Sequence, residues 1–173
     1  MMKKIVLSLI LLSSFFCYSQ NNETLEDKSE NCSFPPLRVY LNDHDETGTN
    51  IRKDPNGEII MKLKETDDYF FFEVTEVQDG WFQVISIQGV EYDNIDLPGD
   101  KGWIHYSVIG ASTRKTVELL ESPKTGKVVG QIEGEISVKI KDTCSDWVEI
   151  EYNGISGWVE SEWLCGNPVT TCP

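Results

Sequence analysis

Asp79-Gly80-Trp81-Phe82-Gln83-Val84, followed by Lys101-Gly102-Trp103-Ile104, returns later in the chain as Ser145-Asp146-Trp147-Val148-Glu149-Ile150 followed by Ser156-Gly157-Trp158-Val159. Each block is preceded by an alternating apolar run, Phe70, Phe72 and Val74 in the first half and Ile136, Val138 and Ile140 in the second. Farther upstream, Lys53-Asp54-Pro55-Asn56-Gly57 corresponds to Ser122-Pro123-Lys124-Thr125-Gly126, a proline-bearing turn between short apolar runs in each half. The order is the same in both halves, so the chain reads as a duplication. Trp81 and Trp147 are 66 positions apart and Trp103 and Trp158 only 55, so the first copy carries 11 extra residues between its tryptophans. Period-two alternation with turn signals about every eight to twelve residues, and no helical periodicity, predicts short strands throughout. The expectation is an all-β chain of two small, tandem, partly open barrels at 37–110 and 116–166, joined by a brief Gly110–Lys115 linker.

The full chain has 173 residues and a formal charge of -14 from 29 acidic and 15 basic side chains. That balance repels phosphate backbones and anionic lipid surfaces, so no nucleic-acid partner is expected. Met1 to Gln20 has the form of a secretory signal: Lys3 and Lys4, an apolar run from Ile5 to Phe16, then small residues. The run is about 12 residues, short of the roughly 20 that span a bilayer. Cleavage after Ser19 leaves a mature chain of charge -16, because two lysines depart. Lipidation of Cys17 is the alternative, although Phe15 and Phe16 fit such a site poorly. Residues 20–36 then read as an N-terminal linker and 167–173 as a tail, in a secreted or periplasmic protein.

Four cysteines remain after export, Cys32, Cys144, Cys165 and Cys172, and an even number in an exported chain points to disulfides. Asn153-Gly154 is the strongest hairpin signal, joining Trp147–Tyr152 to Ile155–Val159. Extending that register outward brings position 144 near 163, which favours Cys144 with Cys165 and leaves Cys32 for Cys172. A local Cys165–Cys172 loop is the rival. Zinc is not expected, because no two of these cysteines lie two to four apart and the chain has two histidines.

The run Thr49-Asn50-Ile51-Arg52-Lys53-Asp54-Pro55, then Gly80-Trp81-x-x-Val84, then Gly102-Trp103-Ile104, resembles the bacterial Src-homology-3-like domain, SH3b. The acidic turn Asn42-Asp43-x-Asp45 ahead of it is similar to the opening of many such domains. The second half resembles the family through Ser122-Pro123, Trp147-x-x-Ile150 and Gly157-Trp158-Val159, but has Glu118 and Leu119 where the Asn-x-Arg element would stand. The resemblance covers residues 37 to 166 and implies SH3-like, partly open five-stranded barrels used as targeting or binding modules, often for cell-wall material.

Alternation along a strand places Phe82, Val84, Val148 and Ile150 inward and Trp81 and Trp147 outward. Outward tryptophans are platforms for sugars, peptides or a protein partner, or else they seal a barrel end. Trp103 and Trp158 read as structural, and Tyr106 and Trp163 as edging the same groove. In the insertion Glu91 to Asp100, Tyr92, Asp93 and Asp96 mark a recognition loop for a cationic partner or a solvated loop. Asp43-x-Asp45-x-Thr47-Gly48 superficially matches a calcium loop, but its flanks read as strands, and Asx turns explain the same residues. No catalytic residues, metal or cofactor are expected. Only His44 and His105 are present, and no serine sits in a Gly-x-Ser-x-Gly elbow. The function this favours is an exported, non-catalytic binding module for cell-wall peptide or a protein partner. An inhibitor or immunity-type protein for a basic enzyme or toxin, and a wall-hydrolase accessory with a calcium-binding acidic loop, are the alternatives.

Overall fold

The computed structural model describes residues 32–64 and 69–167. The signal segment, most of the N-terminal linker, Cys17 and Cys172 lie outside the described residues. Thirteen strands and two single 3-10 turns follow one another without an α-helix among the described residues. In chain order they are β1 (Leu37–Leu41), β2 (Thr49–Arg52), β3 (Ile59–Leu63), β4 (Phe71–Gln78), β5 (Trp81–Gln88), β6 (Gly102–His105), β7 (Ile109–Thr113), β8 (Val117–Leu120), β9 (Val128–Ile132), β10 (Ser137–Cys144), β11 (Trp147–Tyr152), β12 (Ile155–Glu160) and β13 (Leu164–Cys165). The all-β expectation holds. All strands belong to one antiparallel sheet that ends at β3 and β9 and is not closed into barrels.

The pairing order is the same in the two halves. Read inward from its edge, the first half runs β3-β2-β6-β5-β4-β1-β7, and the second runs β9-β8-β12-β11-β10-β7-β13. Strand β7 appears in both. It pairs with β1 through Tyr40↔Gly110 and Leu41↔Ile109, with β10 through Ser137↔Ser112 to Lys139↔Gly110, and with β13 through Leu164↔Thr113. The segment expected as a linker is therefore a strand common to both halves. Its Gly-Ala-Ser-Thr composition, which imitates a linker, is a packing requirement: a Cβ on Gly110 would stand 2.7 Å from the Val138 carbonyl oxygen, and Ala111 and Thr113 are buried.

Matched registers carry the repeat to single residues. Trp81↔His105, Phe82↔Ile104, Gln83↔Trp103 and Val84↔Gly102 in the first half answer to Trp147↔Glu160, Val148↔Val159, Glu149↔Trp158 and Ile150↔Gly157 in the second. The glycine before each second tryptophan has a steric cause. A Cβ on Gly102 would lie 2.5 Å from Ile51 Cγ2, and one on Gly157 would lie 2.8 Å from Leu119 Cβ, so each glycine lets β2 or β8 cross closely. Phe82, Val84, Val148 and Ile150 are buried as the alternation predicts, and the buried side chains of both halves form one continuous cluster. Asn153-Gly154 makes the expected two-residue hairpin, with φ of 50° and 78°. The corresponding first-half connection, between β5 and β6, occupies residues 89–101 and holds the insertion.

The disulfide pairing differs from expectation. Cys32 is bonded to Cys144 across 112 positions, and Cys165 is bonded in a disulfide of its own. The expected Cys144–Cys165 and Cys32–Cys172 pairs are thus overturned. The chain reverses at Ser145-Asp146, so Cys144 ends β10 and pairs with Trp147 instead of extending β11 toward position 163. The bond ties the segment leading into β1 to the β10–β11 hairpin, and so joins the halves. Side-chain hydrogen bonds do the same. Tyr40 Oη lies 2.6 Å from Ser137 Oγ and 3.3 Å from Ser112 Oγ, and Asn167 Nδ2 donates to Tyr92 Oη at 3.0 Å.

Candidate functional site

Opposed residues on adjacent strands project from the same face of a sheet. On the face of β2, β6 and β5 turned away from Phe82 and Ile104, the ladder therefore assembles Arg52, Trp103, His105, Trp81 and Gln83. Trp81, expected as an open platform, is only 9% exposed, and Trp103 6%. The Trp81 ring is covered by neighbours. His105 meets it edge-on with centroids 5.0 Å apart, and the Arg52 guanidinium carbon lies 5.9 Å from its centroid. Tyr106, in the 3-10 turn after β6, packs against His105 at 4.6 Å and beside Gly80, where a Cβ would touch its ring at 3.0 Å. Tyr106 thus stands beside His105, which in turn meets Trp81.

His105 Nδ1 accepts from the Ser107 backbone N–H and lies 2.8 Å from Ser107 Oγ. This pairing of imidazole and hydroxyl caps the 3-10 turn. It leaves the ring proton on Nε2, and burial pushes the His105 pKa below 6.5, favouring the neutral ring.

The same positions in the second half carry Leu120, Trp158, Glu160, Trp147 and Glu149. Trp147 and Trp158 are half-buried there. Trp163 does join the edge of this cluster: its Nε1 donates to Glu160 Oε2 at 3.1 Å, and Lys115 Nζ stands 3.0 Å above its ring. Arg52 and Lys115 were missed by sequence reasoning. The signal for Arg52 lay in overlaying the two copies, which sets a cation against Leu120.

The insertion is tied down at one side and open at the other. Tyr92, half exposed, stacks on Phe71 with centroids 6.1 Å apart, and the Arg38 guanidinium carbon lies 5.0 Å from the Phe71 centroid and 5.6 Å from that of Tyr92. Arg38 also donates to Gln88, and Gln88 to Asn94. Ile95 and Leu97 pack against the core cluster. Glu91, Asp93, Asp96 and Asp100 remain exposed. Tyr92 is thus engaged in packing, whereas Asp93 and Asp96 face solvent.

The loop that resembles a calcium site is a pair of Asx turns between β1 and β2. Asp43 Oδ1 accepts from the Asp45 N–H at 3.1 Å, Asp45 Oδ1 accepts from the Thr47 N–H at 2.8 Å, and Thr49 Oγ1 donates to Asp43 Oδ2. The Thr47 bonds hold the Asp45 carboxyl below its usual range.

Against this geometry, comparison with known families is specific for one half. One bacterial SH3 domain is found, at residues 115–164. No curated protein matches the chain. Among solved structures, NlpC1 from Trichomonas vaginalis is 16% identical, with a TM-score of 0.31, over 76% of this chain and 46% of its own. NlpC2 from the same organism is 13% identical, with a TM-score of 0.30, over 75% and 48%. The chain spans less than half the length of either. Among the described residues no helix is long and apolar enough to cross a membrane, and the Cys32–Cys144 bond is compatible with an extracellular location.

Proposed function

We propose that the chain is an exported, non-catalytic binding protein made of two SH3b-type units, and that it recognises cell-wall peptide. The observation that carries this reading is the bacterial SH3 domain at 115–164, together with the repetition of its strand order and tryptophan register in the first half. A non-catalytic role is supported by the engagement of His105 and Ser107 in a turn cap rather than in a relay to a carboxylate. Trp147, Trp158 and Trp163 offer partly exposed indole edges beside Glu149 and Glu160, a surface suited to the amines of a wall peptide. Retention of the purified chain on insoluble peptidoglycan, competed by soluble wall fragments, is the expected result. Absence of retention would overturn it in favour of a protein partner. That second reading draws on the four exposed acids of the insertion, which a basic enzyme or toxin would match, and stoichiometric co-purification of such a protein would establish it.

A further inference from the structure

The two equivalent faces carry opposite chemistry. Around its tryptophans the first half places Arg52, His105 and Gln83, and the second places Leu120, Glu160 and Glu149. A chain with 29 acids would be expected to neutralise a half-buried arginine from within. Among the described residues Arg52 has no carboxylate partner: one nitrogen donates to the Gly57 carbonyl at 2.7 Å. The rest of the guanidinium fork stands over Trp81. On the same ring sits His105, whose Nδ1 is consumed by the turn and whose Nε2–H has no acceptor among the described residues. A half-buried guanidinium beside an imidazole N–H, neither with a carboxylate acceptor among the described residues, is the complement of a carboxylate, because hydrogen bonds to a charged acceptor are the stronger ones.

We infer that the face formed by Arg52, Trp81 and His105 is a carboxylate-binding site, which takes the free C-terminal carboxylate of a peptide ligand. The inference deepens the binding role proposed above and rests on it for the peptide nature of the ligand. Arg52 supplies charge and a planar fork, and Trp81 holds that fork in place by covering one side of it. His105 adds a neutral donor, so the site needs no proton uptake to bind. At the matching positions the second half carries Leu120 and Glu160, so this pair of donors belongs to the first half alone.

The duplication supplies its own controls. Arg52→Leu and His105→Glu each install the residue that the second half already carries at the same register position, so both variants keep side chains this scaffold accommodates. The probe is N-acetyl-alanyl-alanine with a free carboxylate, compared with its C-terminal amide, titrated into the full mature chain while the indole N–H and imidazole signals are followed by NMR. The free acid is expected to shift Trp81 and His105, the amide to leave them unmoved, and either substitution to weaken binding at least tenfold while the Trp147 signal stays in place. Equal responses to acid and amide, no response at saturating acid, or wild-type affinity in Arg52→Leu would each overturn the assignment. Peptidoglycan retention, measured in parallel, separates the two readings. Retention without any acid-specific shift overturns the carboxylate site and leaves the wall-binding role, whereas an acid-specific shift without retention supports the site and removes the wall.

Discussion

Replacing Cys32 and Cys144 together by serine tests how strongly the covalent tie between the halves stabilises the fold. The bond closes a loop of 112 positions, for which chain entropy predicts about 5 kcal/mol of stabilisation at 25 °C. For a folded region of this size that corresponds to roughly 10–20 °C in melting temperature. Guanidinium unfolding followed by tryptophan fluorescence under non-reducing conditions is the direct assay. The variant should also show a steeper denaturant dependence, because its unfolded chain is no longer cross-linked and exposes more surface. Non-reducing peptide mapping of the wild type should recover Cys32 with Cys144, and Cys165 with Cys172, the local pairing that the sequence also allows. A variant within about 1 kcal/mol of a wild type whose Cys32–Cys144 peptide has been confirmed would refute the entropic argument, and would mean that noncovalent contacts alone hold the halves in place.

Gly166→Ala should be the most damaging of the small substitutions, since its Cβ would fall 2.1 Å from the Arg38 carbonyl oxygen. A loss of about 1–3 kcal/mol in denaturant unfolding is expected, and a neutral result would show that this crossing yields. Tyr40→Phe removes the hydroxyl shared with Ser137 and Ser112 and should cost about 1 kcal/mol, whereas the same change at exposed Tyr69 should cost nothing measurable. The His105 pKa lies below 6.5 in the folded protein, so the unfolded chain takes up the proton first. Stability is therefore full above pH 6.5 and declines as pH falls from there toward the folded value. His105→Gln should flatten that decline in a pH series of unfolding midpoints, and an unchanged slope would assign the effect elsewhere.

The fold was legible where its signals are local. Asn153-Gly154 makes its hairpin, Phe82 and Val148 go inward, and the extra residues between the first pair of tryptophans fall in the β5–β6 connection. Period two and turn chemistry act over a few residues and need no knowledge of the rest of the chain. Long-range relations were not legible. Cys144 was read across a reversal that Ser145-Asp146 imposes, and Gly110-Ala111-Ser112-Thr113 looked like a linker because small residues serve both a mobile connection and a strand squeezed between neighbours. The candidate site was half legible. Alternation put Trp81 on the outer side of its strand, yet its burial depends on Arg52 and His105, which reach it from other strands. Tyr92 looked like a recognition residue because nothing local shows that Phe71 and Arg38 await it.

One strand serving two neighbours has a bearing on how such a protein can be cut or recombined. A fragment beginning at Lys115 would lose Ile109–Thr113, stranding β10 and β13 with raw edges prone to pairing with another molecule. A fragment ending at Gly110 would keep the two residues that pair with β1 but lose Ala111 and Thr113, which are buried between the halves. Neither half is a detachable cassette, so deletion, shuffling or grafting has to move the pair as a single inheritable piece.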